Sequence, residues 1–315
     1  MQRVSKAGRV AIVLALASTM AGCGWINTLK AKKAFKEANA AYASQDYKKA
    51  AEHYLEALAA KPDLTQAYFY LGNSYDNMYK VSKQGQPEND KYIELAIEYY
   101  NKAYQQEQDP KMKKLALDFL ADVYGPTKLN DPERAEPILE QIITVDPKDT
   151  TGYILLSNLK TEMGDYEAAE AALNKARDVN PNDPAIYARL ADFYNKQGDF
   201  EKTVAALRER AAKEPENPEA FYTIATYFWD KAYRDFRITD AQKSQFAAEG
   251  LTAVDQALKL NPSYLEAVTY RGLLLRVQAG LEKDAAKQKA LMTDAEAMQA
   301  RALEVRTAKA AGATE

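Results

Sequence analysis

A single cysteine, Cys23, and a single histidine, His53, are all that 315 residues offer of the two side chains most often used to bind metals or attack substrates. One cysteine excludes an internal disulfide. Together the two exclude a Cys/His metal cluster and leave a nucleophilic dyad only themselves to draw on. His53 lies one residue before Tyr54 in a helical stretch, where it reads as a packing residue rather than a catalyst. No phosphate-binding loop, dinucleotide fingerprint, zinc motif or nucleophile elbow occurs in the sequence. The expectation is no enzyme activity, no metal and no small-molecule cofactor. The carboxylates fall mostly at helix starts and exposed faces, where the helix dipole and neighbouring Lys or Arg account for them.

A basic surplus is also missing. Net charge is −3, and the first 22 residues hold Arg3, Lys6 and Arg9 with no acid. Without those three, 39 basic residues face 45 acidic ones, a net charge of −6. Nucleic acid is therefore not the expected main partner, because phosphate binding needs a basic footprint. At 47% hydrophobic and 28% charged residues, the composition excludes a disordered chain. Tryptophan is scarce at 2, whereas tyrosine is abundant at 21. Tyrosine buries a ring while keeping a polar tip, which suits thin packing layers with wet edges.

The N-terminus reads as an address. A positive segment (Arg3, Lys6, Arg9) precedes the short apolar run Val10 to Ala17 and the small-residue region Ser18 to Gly22. That order is a secretory signal over residues 1–22, and its apolar run is too short to cross a bilayer core of about 30 Å as a helix. Met20-Ala21-Gly22-Cys23 resembles the bacterial lipobox, with Met20 in place of the usual Leu. The resemblance implies that the chain is cut before Cys23 and that Cys23 carries acyl chains, each stabilised by roughly 0.8 kcal/mol per buried methylene. Gly24, a non-Asp residue after the cysteine, implies by the same resemblance an exported protein on the outer membrane facing the periplasm. Residues 23–30 would form a lipidated tether. Lys30, Lys32, Lys33 and Lys36 then either rest on anionic headgroups or form a solvated helix face.

The remainder repeats. Pro147, Pro181 and Pro215 recur every 34 residues. Between them Tyr153 and Leu156 align with Tyr187 and Leu190, Gly164-Asp165-Tyr166 with Gly198-Asp199-Phe200, and Leu173 with Leu207. An aromatic and a Leu three apart share one face of a first helix, A, and small residues such as Gly72, Ala121, Ala191 and Ala225 let a second helix, B, approach closely. Ala50, Ala96, Ala135 and Ala169 are the matching small positions on helix B. Gly164 and Gly198 supply the turn, and the closing Pro ends each pair. These residues at this period resemble the tetratricopeptide repeat (TPR). The resemblance implies an all-α solenoid, a right-handed superhelix of antiparallel helix pairs. About six repeats and a degenerate seventh fill residues 31–280, with a C-terminal capping helix and tail over 281–315.

Two repeats are long. The second has 12 extra residues with Gly85 and Pro87, and the sixth has 13 extra around Trp229, Tyr233, Arg234, Phe236 and Arg237. Both read as loops, either on a binding face or merely tolerated for length. TPR arrays bind proteins or peptides along helix A side chains that lie outside the packing positions. Carried over, those are Phe35, Asn39, Tyr42, Phe69, Tyr70, Asn73, Asn77, Phe119, Asp122, Asn158, Arg189, Asp192, Asn195, Tyr222, Thr226 and Trp229. Asn39, Asn73 and Asn158 share one repeat position, where an amide either holds a peptide backbone or faces solvent. Phe35 stands where a carboxylate clamp needs Lys, so no such clamp is expected. The reading that results is a membrane-anchored scaffold or adaptor for a protein partner in cell-envelope assembly, of the pilus-secretin or outer-membrane-protein type. The alternative is an adaptor or regulator of cell-wall hydrolases or polysaccharide export.

Overall fold

Asp and Asn residues cut the chain into helices by accepting hydrogen bonds from the first backbone N–H groups of the next one. Asp46, Asp109, Asp131, Asp149, Asp183, Asp199 and Asn217 all cap a helix in this way. Four of these caps precede a proline at the start of the helix, where the missing N–H costs nothing. The computed structural model describes residues 6–310 and 312, with side chains from Trp25 on. Among the described residues there are 14 α-helices, one 3-10 turn and no strand. The first seven are α1 (Lys6–Ala43), α2 (Tyr47–Ala60), α3 (Thr65–Met78), α4 (Pro87–Gln106), α5 (Pro110–Tyr124), α6 (Pro132–Val145) and α7 (Thr150–Glu162). The others are α8 (Tyr166–Val179), α9 (Pro184–Lys196), α10 (Phe200–Lys213), α11 (Pro218–Arg234), α12 (Asp240–Leu260), α13 (Leu265–Leu281) and α14 (Ala285–Ala310). Odd-numbered helices are the A helices and even-numbered ones the B helices of an all-α array of antiparallel pairs.

The chain divides into two compact units, Met1–Ala172 and Leu173–Glu315. In the first, α1 pairs with α2, α3 with α4 and α5 with α6. Its core is built on the fully buried Tyr54, Leu71, Tyr100, Leu117 and Leu120. In the second, α9 pairs with α10, α11 with α12 and α13 with α14. Phe228, Val254 and Leu274 are fully buried there. The helix predicted as a terminal cap is thus the B helix of a seventh hairpin, although Ala295 is the one buried residue α14 contributes.

In four of the hairpins a left-handed residue stands just before the aspartate that precedes the second helix. Gly164 and Gly198 take φ of 79° and 73°, and Gln45 and Asn130 occupy the matching place at 62° and 50°. Gln45 lies in a region that favours glycine.

Neither long repeat is the loop the sequence suggests. In the second, only residues 79–86 lie between helices, with a 3-10 turn at Val81–Lys83, and Pro87 opens α4 instead of breaking a loop. In the sixth, α11 simply continues to Arg234 and the connection is residues 235–239, so most of the extra length is helix. Thr239 and Gln242 close a reciprocal cap that starts α12.

Close packing depends on the small residues. A Cβ at Gly72 would stand 2.9 Å from Cδ1 of Tyr100, a fully buried ring with no room to withdraw. Gly72→Val is expected to lower stability by about 2 kcal/mol, measured by urea denaturation.

Candidate partner-binding surface

The A-helix residues proposed from the repeat alignment separate into three groups. The first, in the N-terminal unit, is a buried network. Tyr42 Oη donates to Asn73 Oδ1 at 2.5 Å, and Asn73 Nδ2 donates to Tyr100 Oη at 3.1 Å. Tyr100 Oη in turn donates to Asp76 Oδ2 at 3.1 Å. Lys128 Nζ closes the chain on both Asp76 oxygens at 2.7 and 2.9 Å and also meets Asp122 at 2.8 Å. Asn77 Nδ2 donates to Asn73 Oδ1 as well. Asn73 is therefore fully engaged and only 5% exposed, so its amide holds the hairpins together and is not open to a peptide. Phe69 is likewise 5% exposed, packed on Tyr70, Tyr100 and Phe119. Both leave the groove set for the core. Phe35, Tyr42 and Tyr70 are half-buried in the same ring cluster. Asn39 is exposed, but its Oδ1 accepts from Tyr54 Oη at 2.7 Å.

The second group lines a cleft of about 300 Å³ between α5, α6 and α7. Asp118, Asp122, Asn158 and Glu162 form its polar rim, and Leu139, Leu155 and Leu159 its apolar part. Asn158 is exposed there. Of the three asparagines at one repeat position, it is the one whose amide faces a cleft without an intramolecular partner shown.

The third group belongs to the C-terminal unit. Asn195 from α9, Thr226, Tyr227, Trp229, Asp230 and Arg234 from α11, and Tyr270 from α13 line a cleft of about 340 Å³. All of them come from A helices. The Trp229 ring stacks on Tyr233 at 5.2 Å and meets Tyr270 edge-on at 5.4 Å. The Arg234 guanidinium lies 5.7 Å from the Trp229 ring centre and pairs with Asp230 at 3.1 Å. Burial and the nearby carboxylates of Asp192 and Asp230 push the Tyr227 hydroxyl's pKa up. Tyr222 packs on Tyr264 and Tyr270, and burial raises its pKa to about 12. Arg189 and Asp192 are exposed outside this cleft, with Asp192 bound to Lys196 at 2.8 Å.

Beyond the cleft, Tyr233 is 65% and Phe236 89% exposed. Arg237 grips Asp235 with two 2.9 Å hydrogen bonds, which, together with Lys231, hold that carboxyl far below the usual range.

Elsewhere, His53 Nδ1 lies 3.0 Å from Glu56 on the surface of α2. Among the described residues no cluster of three or more metal-binding side chains occurs, and no helix is long and apolar enough to cross a membrane. Residues 1–5 of the signal segment and all side chains up to residue 24, among them that of Cys23 on which the lipid-anchor reading rests, lie outside what the structure describes. Sequence reasoning missed Asp76, Tyr100 and Lys128 as a unit. Lys128 reaches Asp76 across 52 residues from the connection before α6, and no local pattern marks such a pair.

Asp76 is 5% exposed at its side chain and Lys128 21%. Lys128→Met leaves a buried carboxylate without its cation and is expected to cost about 3 kcal/mol in urea denaturation. Adding Asp76→Asn should recover part of that loss. Burial lowers the Lys128 pKa, but hydrogen bonds to Asp122 and Asp76 outweigh it and the net shift is upward. Burial, then the Asp76 charge, also raises Tyr100. Both groups keep protons in the folded state that the unfolded chain releases near pH 10. Their stabilisation is therefore complete below about pH 10 and is lost as pH rises further. Melting temperature should fall as pH is raised above about 10, the ordinary value for both groups, and fall less steeply in Tyr100→Phe.

Two family models described as tetratricopeptide repeat match the chain, one over residues 127–193 and 160–226 and the other over 35–76. No curated protein matches it in sequence. Among solved structures, it resembles the C-terminal part of a TPR repeat-containing protein from Cytophaga hutchinsonii. That match has 12% identity and a TM-score of 0.55, covering 86% of this chain and 98% of that one. A tetratricopeptide repeat protein from Parabacteroides merdae matches at 13% identity and a TM-score of 0.45, covering 85% and 99%. YrrB, titled a TPR protein with an unusual peptide-binding site, matches at 17% identity and 0.41, covering 60% and 89%. The likeness to the Cytophaga structure is one of fold. The matched segments are tetratricopeptide repeats, and they sit in a chain whose paired helices form an all-α tetratricopeptide-type array.

Proposed function

We propose that the protein is a non-enzymatic scaffold that holds a protein partner on its A-helix faces. We further propose that it is exported and anchored through acylated Cys23 to a bacterial membrane, on the periplasmic side of the outer membrane, where it serves cell-envelope assembly. The observation that carries the binding reading is the cleft lined by α9, α11 and α13. It gathers side chains from three successive A helices, among them Asn195, Thr226, Trp229 and Arg234. An aromatic wall, an arginine and an amide together supply what interface anchor sites use: apolar area, a directional cation and a paired donor and acceptor. The anchor reading is supported by the lipobox-like Met20-Ala21-Gly22-Cys23. A binding role is also in keeping with how the acidic residues are deployed, since Asp46, Asp131, Asp149, Asp183 and Asp199 each cap a helix.

The test is crosslinking of the full-length protein in cells, with mass spectrometry of the adducts. A secretin, a barrel-assembly component or a wall hydrolase among the adducts would name the pathway. Adducts with abundant membrane proteins alone would remove the scaffold reading. With the captured partner, Arg234→Ala with Asn195→Ala is expected to weaken binding at least about tenfold while the melting temperature stays nearly unchanged, since both positions are exposed. Cys23→Ser should abolish lipid labelling and release the protein from membranes; retention would end the anchor reading.

A further inference from the structure

Helix α1 has two distinct faces beyond Cys23. Ala31, Ala34, Ala38 and Ala41 are all buried, and their spacing of three and four places them on one stripe. Trp25, Leu29, Lys32 and Lys36 have the same kind of spacing and fall on the opposite stripe, flanked by Ile26 and Lys33. Trp25 is 66%, Ile26 48% and Leu29 46% exposed, so three large apolar side chains stand in water within five residues. Lys30, Lys32, Lys33 and Lys36 are exposed directly after them. Between Trp25 and Glu37 the sequence has no acid except Glu37 itself, which lies 3.9 Å from Lys33.

A tryptophan beside aliphatic side chains, followed by lysines on the same helix face, matches the layering of a phospholipid surface. Indole rings favour the headgroup level, and lysine stems lie on apolar material while their ammonium groups reach phosphates. We propose that this face of α1, from Trp25 to Lys36, lies along an anionic phospholipid surface. Trp25, Ile26 and Leu29 seat at headgroup depth, and Lys32, Lys33 and Lys36 sit over phosphates. Charge and position both select this occupant. The stretch is net basic in a mature chain that is net acidic, and it begins two residues after Cys23. The inference rests on the anchor reading, because acyl chains on Cys23 would hold the bilayer within reach of Trp25. It goes beyond a point attachment, since a helix lying on its outer stripe turns its alanine stripe, and the α2 packed there, away from the lipid.

The experiment uses the full-length protein purified from membranes with Trp229→Phe, which leaves Trp25 as its only tryptophan. It is mixed with vesicles of phosphatidylglycerol carrying brominated acyl chains, and in parallel with brominated phosphatidylcholine. The expected result is blue-shifted Trp25 emission that phosphatidylglycerol quenches more strongly than phosphatidylcholine. Lys32→Glu, Lys33→Glu and Lys36→Glu together should reduce the lipid-seated fraction by roughly fivefold per lysine. Circular dichroism checks that each variant keeps its helices. Unquenched emission at the wavelength of exposed tryptophan would overturn the inference, as would quenching indifferent to both headgroup and lysines. Acylation is read separately from the mass of the N-terminal peptide. An acylated chain with unquenched Trp25 refutes the face contact alone, whereas a quenched Trp25 on an unacylated chain refutes the anchor alone.

Discussion

The distance between the two helices of a hairpin governs this structure, and side-chain size at a few positions sets that distance. Gly72 lets α3 approach until its missing Cβ would collide with Tyr100 of α4. In the second unit Gly250 of α12 admits close neighbours on two sides, since a Cβ would meet Phe228 of its own hairpin at 3.1 Å and Leu274 of the next at 2.8 Å. The fully buried Ala50, Ala96, Ala103 and Ala257 fill the same role on B helices with one methyl each. Around these close approaches large rings fill the remaining space, both within a hairpin, as Tyr75 does against Tyr92 and Tyr99, and between hairpins, as Tyr54 does against Tyr70.

The thinness of the array explains why so many of these rings are tyrosines. A layer two helices thick has no deep interior, so a ring buried at one end reaches polar surroundings at the other. Tyr54 and Tyr100 are fully buried by area, yet the Tyr54 hydroxyl meets Asn39 and the Tyr100 hydroxyl meets Asn73 and Asp76. Phenylalanine would fill the same volume but leave the amides and the carboxylate of α3 short of partners.

The 34-residue period, the helix pairing and the acidic caps were legible because each depends on residues near in sequence. Parts of the clefts were nameable from the sequence: Asn158, Asn195, Thr226 and Trp229 follow from their repeat position and Arg234 from the long sixth repeat, and all five line a cleft. Phe69 and Asn73 were misplaced for a physical reason. Phe69 is covered by Phe119 from the next hairpin, and Asn73 is held by Tyr100 across its own, contacts that depend on how closely the helices approach rather than on the repeat position itself. The long sixth repeat misled because its aromatics and arginines resemble an interaction loop. Its helical period nevertheless continues, with Phe228 and Ala232 four apart and both buried.

The last hairpin is built on different terms from the others. Where α3 buries eight residues, α14 runs 26 residues and buries one. Its attachment relies on alanine contact, a Gly272–Met298 approach and hydrogen bonds such as Arg276 of α13 to Gln299 and Arg301 to the carbonyl of Pro262, in the connection before α13. In an array whose cohesion is the sum of neighbouring interfaces, opening starts at the weakest one. Amide protons of α14 should therefore exchange with solvent through detachment of that helix alone, while those of α3 and α4 wait for collective unfolding. The protein would then lose its order from the C-terminal end inward, as a zip opens, leaving the tyrosine-layered hairpins closed behind it.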